Sequence, residues 1–193
     1  MTFERPTLLV LGIGNILLRD EGVGVRVVRE VAELGPERLP PGTDVVDGGT
    51  LGLDLLPMLE DAAAVVLVDA VDLRAAPGTV HVMRDRELHA PLAQHVSPHQ
   101  VGVGDLLAAA RLAGRLPDLV SLVGIQPGAI EIGLEPTPEV EAAVGVAVAR
   151  VLEELEAFAA ALGVDAGSGG RRPGETRSAG GTSPAPGPRA TTA

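Results

Sequence analysis

The sequence has no cysteine, lysine, tryptophan or tyrosine, and phenylalanine, which occurs twice, is its only aromatic residue. Without cysteine, the chain alone can form no disulfide, no thiolate nucleophile and no sulfur-ligated zinc or iron–sulfur site. Without lysine, it can form no lysine P-loop, no Schiff base and no lysine general base.

The sequence also lacks long apolar runs and a basic surplus. No run approaches the ~20 residues that cross a bilayer. The N-terminus, "MTFERPTLLV", does not have the pattern of a secretion signal, so we predict a cytoplasmic protein. The net charge is −11, and residues 165–193 are net basic, so the rest of the chain is strongly acidic. An acidic body argues against a nucleic-acid partner.

Two regions differ in composition. Residues 1–164 alternate apolar strand-like and helix-like segments and are predicted to form one α/β domain. Residues 165–193 form a tail rich in glycine, proline and arginine with no apolar periodicity. Such a tail cannot bury enough surface to offset its ordering entropy, so we predict that it is disordered.

The body is predicted to form a mainly parallel five-stranded sheet with helices. The expected strands cover residues 7–13, 43–46, 64–69, 79–84 and 119–125. The expected helices cover residues 22–34, 53–60, 98–113 and 137–162. Only nine residues separate the third and fourth strands. A parallel crossover needs about a dozen or more, so the fourth strand is predicted to run antiparallel.

The segment "LLVLGIGNILLRDEGVGVRVV" reads as strand, glycine turn and helix. Gly12 and Gly14 match the first two glycines of a dinucleotide-binding turn, but Leu17 stands where the third is required. Asp20 and Glu21 lie near the start of the helix, where they would repel a phosphate. Nucleotide binding is therefore disfavoured. As isolated acids, Asp20 or Glu21 would be only helix caps.

Acidic residues follow the first three predicted strands. Glu21 follows the first through its loop, Asp47 closes the second and Asp69 closes the third. Ligands of parallel α/β sheets bind beyond the carboxyl ends of the strands, so three acids on one rim favour a cation site. Gly48 and Gly49, directly after Asp47, would let the backbone come close to the ligand.

One of the four histidines has a specified position. In "SPHQ", Ser97 is the expected N-cap and Pro98 the first helical residue, which places His99 on the first helical turn. A helix N-terminus disfavours the protonated imidazole, so a neutral nitrogen is free for a metal. Two carboxylates and an imidazole suit nickel, zinc, manganese or iron. Alternatively, His99 is only a helix-start residue. His81 is predicted to be a packed or surface residue of a strand, and His89 and His95 fall in a loop.

Five segments, in order, resemble the hydrogenase maturation endopeptidases: "GIGNILLRDEGVG", "DGGTLGLDLL", "VDAVDLRAAPGTV", "SPHQVGVGDLLAAARLAG" and "VGIQPGAIEIGLEPTPEVEAAV". The resemblance covers about residues 7–155. It implies a three-layer α/β/α sandwich with one antiparallel strand. It also implies a peptidase that removes the C-terminal extension of a nickel–iron hydrogenase large subunit after nickel insertion.

The resemblance further implies that Glu21, Asp69 and His99 are the metal-contacting and catalytic residues, with Asp47 beside them. The nickel would be carried by the substrate, which would also supply the thiolates that this chain lacks. Two other functions stay open. One is a checkpoint protein that binds nickel in the precursor without cutting it, and the other is a metal-dependent or nucleotide-linked hydrolase of a small substrate.

Overall fold

A computed structural model describes residues 8–84, Leu88 and residues 103–164. The strands are β1 (Leu8–Ile13), β2 (Thr43–Gly49), β3 (Ala64–Ala70), β4 (Val80–Arg84) and β5 (Leu119–Ile125). The helices are α1 (Val23–Glu33), α2 (Leu56–Asp61), α3 (Val103–Leu112) and α4 (Pro138–Leu162). Short 3-10 turns precede α1 and α2, at Arg19–Gly22 and Gly52–Leu55. The predicted strands and helices are all present where the chain is described, with ends shifted by a few residues.

The five strands form one sheet in the order β2-β1-β3-β5-β4. The first three neighbouring pairs are parallel, and β4 pairs with β5 antiparallel. The predicted fold class and the single antiparallel strand are therefore confirmed. The short link between β3 and β4 explains the reversal, because it leaves no room for a crossover helix.

The sheet is covered on both faces. Alternate residues of the central strands point to opposite sides, so Leu8, Val10 and Val66 pack with α1 and α4 in one cluster. Leu9, Leu11, Val65 and Leu67 pack with α2 and α3 in the other. β1 is buried along its whole length, as its continuous apolar sequence predicts.

The second strand is longer than predicted. β2 extends to Gly49, so Asp47 lies inside the strand rather than at its end. Gly12 of β1 pairs with Asp47, but the next residue, Ile13, pairs with Gly49, so the register shifts by one residue. Gly48 is the extra residue of this bulge, and a Cβ on it would lie 2.8 Å from Leu11 and 3.0 Å from the carbonyl oxygen of Gly12. The extension carries the strand up to the glycine turn after β1.

Some predictions fall outside the described residues: the disordered tail, the first turn of the helix before Val103, and His89, His95 and His99. They stay predictions. None of the helices in residues 8–84 and 103–164 is long and apolar enough to span a membrane.

Candidate active site

Glycines bring the start of α1 against the ends of two strands. A Cβ on Gly24 would lie 2.3 Å from the carbonyl oxygens of both Ile13 and Val68. Gly14 has a φ of +136°, and a Cβ there would lie 1.9 Å from the carbonyl oxygen of Glu21. Only glycine fits these positions, because any side chain would collide with backbone. The glycine pattern therefore serves close packing, and it delivers Glu21 to the carboxyl end of the sheet.

Glu21 is a buried acid with an unsatisfied oxygen. The residue is only 6% exposed, and its Oε2 has no hydrogen-bond partner. Burial raises the pKa of Glu21 above its usual value, since the charged form loses water. A buried polar atom without a partner is costly, and such atoms are rare in folded proteins. The orphan oxygen is therefore a position where a ligand is expected.

Asp69, at the end of β3, is close enough to Glu21 for their charges to interact. Burial raises the pKa of Asp69 well above its usual range. A hydrogen bond from the N–H of Ala70 to Oδ1, at 2.8 Å, acts in the opposite direction, and the carboxylate of Glu21 raises the pKa further. Two interacting carboxylates, one buried and one partly buried, repel each other unless a proton or a cation offsets their charge. The pair has the charge and the ligand type of a cation site.

The third predicted ligand, His99, lies outside the described residues. Within residues 8–84 and 103–164, no three histidine or acidic side chains come together as a metal site. Glu21 and Asp69 are thus the two predicted site residues that the described structure brings together. His81 is an exposed residue of β4, which confirms that it is a surface residue.

Asp47 forms an ion pair with Arg29 of α1. Its Oδ2 accepts hydrogen bonds from Nε at 3.1 Å and from Nη2 at 2.8 Å, and both side chains are more than a third exposed. The backbone after Asp47 approaches the site instead, because the N–H of Gly14 donates to the carbonyl oxygen of Gly49 at 3.0 Å. A role of the Asp47 carboxylate in the site stays a prediction.

Asp20 has a different role from its neighbour. It is fully buried, and it accepts hydrogen bonds from the backbone N–H groups of Gly128, Ala129 and Thr137 and from the Thr137 hydroxyl, at 2.6 to 2.9 Å. Burial acts to raise the pKa of Asp20, but these four hydrogen bonds outweigh it and lower the pKa. Asp20 therefore joins the β1–α1 loop to the β5–α4 loop as a stable carboxylate.

The helix-cap interpretation is wrong for both acids. The N-cap of α1 is Gly22, and neither this helix nor the preceding 3-10 turn has a side-chain cap hydrogen bond. Asp20 bonds instead to residues more than a hundred positions later, a contact that the local sequence gives no means of predicting. Glu21 instead interacts electrostatically with Asp69.

Gln126 is a second supporting residue that the sequence did not reveal. Its Oε1 accepts hydrogen bonds from the N–H groups of Leu73 at 2.7 Å and Ala75 at 3.3 Å. These contacts fix the chain shortly after Asp69. Its partners come from a different loop, so the local sequence could not predict them. The only signal for a role near the site was its position directly after β5.

The fold and these residues define a class: an α/β/α protein whose candidate centre is a carboxylate pair beyond the carboxyl ends of parallel strands. Comparison with known families is more specific. Residues 25–154 match the family model of the HycI hydrogenase maturation proteases. The chain belongs to this family of peptidases. The matched range includes Asp69 and His99 and begins four residues after Glu21, so the geometry above is what links Glu21 to the site.

Individual relatives agree. The chain is 43% identical over 158 residues to the hydrogenase expression/formation protein HupD of Rhodobacter capsulatus, covering 81% of this chain and 74% of that protein. It is 40% identical over 149 residues to the hydrogenase 2 maturation protease of Escherichia coli, covering 77% and 90%.

Solved structures are similar too. The hydrogenase maturating endopeptidase HybD of Escherichia coli matches with a TM-score of 0.68 and 39% identity, over 78% of this chain and 92% of that one. The [NiFe] hydrogenase maturation protease HybD of Thermococcus kodakarensis matches with a TM-score of 0.62 and 29% identity, over 77% and 98%.

Proposed function

We propose that this peptidase removes the C-terminal extension of a nickel–iron hydrogenase large-subunit precursor after nickel has been inserted. Glu21 and Asp69, together with His99, contact the nickel that the precursor holds. The observation that carries the proposal is the buried, unpaired Oε2 of Glu21 beside Asp69. Family membership and the [NiFe] hydrogenase maturation protease among the solved relatives support it.

The chemistry of the pair fits a metal that arrives with the substrate. Burial raises the pKa values of both carboxylates, and repulsion by the charge of Glu21 raises the pKa of Asp69 further. A cation bound by the pair would offset this repulsion. A precursor carrying nickel supplies that cation, and a precursor without nickel leaves the repulsion in place. Because the chain has no cysteine, any thiolate on the nickel belongs to the precursor.

Two effects would then contribute to peptide hydrolysis, one from the nickel and one from the carboxylates. The nickel of the precursor, held next to the scissile bond by Glu21, Asp69 and His99, would supply Lewis-acid chemistry to the scissile carbonyl or to water. A carboxylate whose pKa is raised by burial accepts and releases protons closer to neutral pH than an exposed one. Both effects need the geometry that the loops after β1 and β3 impose.

The test is cleavage of two precursors, one loaded with nickel and one free of it, followed by the mass of the product. We expect loss of a C-terminal fragment from the nickel-loaded precursor alone. Equal cleavage of both would refute nickel recognition while leaving the peptidase. Binding of the nickel-loaded precursor without a change in mass would identify a checkpoint protein instead.

A further inference from the structure

An apolar surface stands next to the carboxylate pair. Five large side chains are exposed on the β1–α1 and β5–α4 loops: Ile16, Leu17, Ile130, Ile132 and Leu134. Ile132 is 92% exposed and Leu134 is 61% exposed. We call these five residues the loop platform. Clusters of exposed apolar side chains commonly mark a surface for another protein.

The topology places the loop platform across the site. β3 lies between β1 and β5 in the sheet, so the loops that follow β1 and β5 meet over the carboxyl end of β3. Asp69 lies at that end. Leu17 precedes Glu21 by four residues in the same loop. The two loops that carry the platform therefore lie at the same end of the sheet as the two carboxylates.

The backbone under the platform is fixed by hydrogen bonds between the two loops. The N–H of Gly133 donates to the carbonyl oxygen of Leu17 at 3.0 Å, and the N–H of Arg19 donates to the carbonyl oxygen of Gly133 at 2.9 Å. The four bonds to Asp20 reinforce this junction. The apolar side chains are thus presented on a pre-ordered surface, which reduces the entropy cost of binding a partner.

The side chain of Arg19 links the two loops of the junction. Arg19 adopts a φ of +51°, which is unusual for a residue other than glycine, and it forms an ion pair with Glu131 at 2.5 Å. Its Nε also donates to the carbonyl oxygen of Glu135 at 3.1 Å. Strained backbone held by several contacts is typical of functional sites.

We propose that the loop platform docks the hydrogenase large-subunit precursor through apolar side chains next to the bond that is cut. This inference rests on the proposed function and names the surface that recognises the protein part of the substrate. The two contacts then act together. The carboxylates contact the nickel, and the loop platform binds the polypeptide that carries it.

The test compares Ile132→Ser with Leu112→Ser. Leu112 is also 92% exposed, but it ends α3, which leads into the start of β5, so it lies at the opposite end of the sheet. Serine removes apolar area without adding charge near the carboxylates. In cleavage of nickel-loaded precursor, we expect Ile132→Ser to raise KM roughly tenfold with little change in kcat, the size expected for one buried aliphatic side chain. Leu112→Ser should keep the wild-type KM.

An unchanged KM in Ile132→Ser and in the double variant Leu17→Ser/Leu134→Ser would overturn the docking surface. So would a change of oligomeric state in these variants alone, because the platform would then contact a second copy of the chain. If the wild-type protein cuts no precursor, the proposed function fails. Loss of precursor binding in Ile132→Ser, measured by calorimetry, would still support docking in that case, and unchanged binding would overturn it.

Discussion

Two adjacent regions give their carboxylates opposite hydrogen bonding and opposite shifts in pKa. The loop junction around Asp20 gives a fully buried carboxylate four hydrogen bonds and a lowered pKa. The pair of Glu21 and Asp69 leaves one buried oxygen unpaired and raises both pKa values. Burial is common to both regions, so the difference comes from the donors that surround each group. The junction satisfies its carboxylate with its own donors, whereas the pair leaves an acceptor oxygen unused.

The largest expected effect is on activity at the pair. Glu21→Gln and Asp69→Asn each remove one negative charge and keep the shape of the side chain. We expect precursor cleavage to fall at least about a hundredfold, because no spare ligand replaces the one removed. Rates of cleavage and thermal melts on purified variants measure this.

His81→Ala is the matched control, since His81 is exposed on β4, and it should cleave normally. His99→Ala should behave as the acid variants do. If both acid variants cleave at the wild-type rate, the pair is not the active centre.

The next effect concerns the stability of the junction. Asp20→Ala would leave three buried or partly buried backbone N–H groups and one hydroxyl without their acceptor. We expect the free energy of unfolding to fall by about 2–4 kcal/mol, as when a buried charged network loses one partner. Thr137→Ala removes only the hydroxyl donor and should cost about 1 kcal/mol. Denaturant unfolding measures both losses, and equal losses in the two variants would contradict the network as described.

The pH dependence of stability should separate the two regions. The raised pKa values of Glu21 and Asp69 mean that the folded protein binds protons more tightly than the unfolded chain. Stability is therefore lost as the pH rises from about 4, the usual carboxyl pKa, through the raised values. Asp69→Asn removes much of this loss, so it should be more stable than the metal-free wild type at neutral pH, by on the order of 1 kcal/mol per pKa unit of the shift.

The difference between Asp69→Asn and the wild type should disappear below about pH 4, where both acids are protonated in either state. Melting temperatures between pH 4 and pH 8, taken without added metal, provide the measurement. A variant that is less stable than the wild type over the whole range would show that the Asp69 charge stabilises the fold.

The smallest effect is expected outside both regions. The ion pair between Asp47 and Arg29 joins two side chains that are well exposed to water. Arg29→Ala should lower the free energy of unfolding by about 1 kcal/mol or less, and added salt should reduce the effect further. Denaturant unfolding at low and high salt checks this. A loss as large as that of Asp20→Ala would mean that Asp47 supports the site as Asp20 does.

Much of the fold followed from local patterns. Continuous apolar runs predicted the buried strands, and the short link before Val80 predicted the antiparallel strand. The strand after residue 43 was predicted too short because Asp47 and two glycines resemble a turn. In the folded protein, the neighbouring β1 supplies the hydrogen bonds that extend it to Gly49. Pairing with a distant segment overrode the local preference.

The sequence by itself determined the order of strands and helices along the chain, the absence of thiolate and lysine chemistry, and the positions of Glu21 and Asp69 after the first and third strands. These depend on residue type, periodicity and loop length. Tertiary structure alone decided that Asp20 is satisfied and Glu21 is not, although the two are adjacent acids. The donors for Asp20 come from Gly128 to Thr137, and the neighbour of Glu21 comes from β3. Hydrogen bonding and burial act through space, so only the folded chain distinguishes a carboxylate with all its donors from one with an unpaired oxygen.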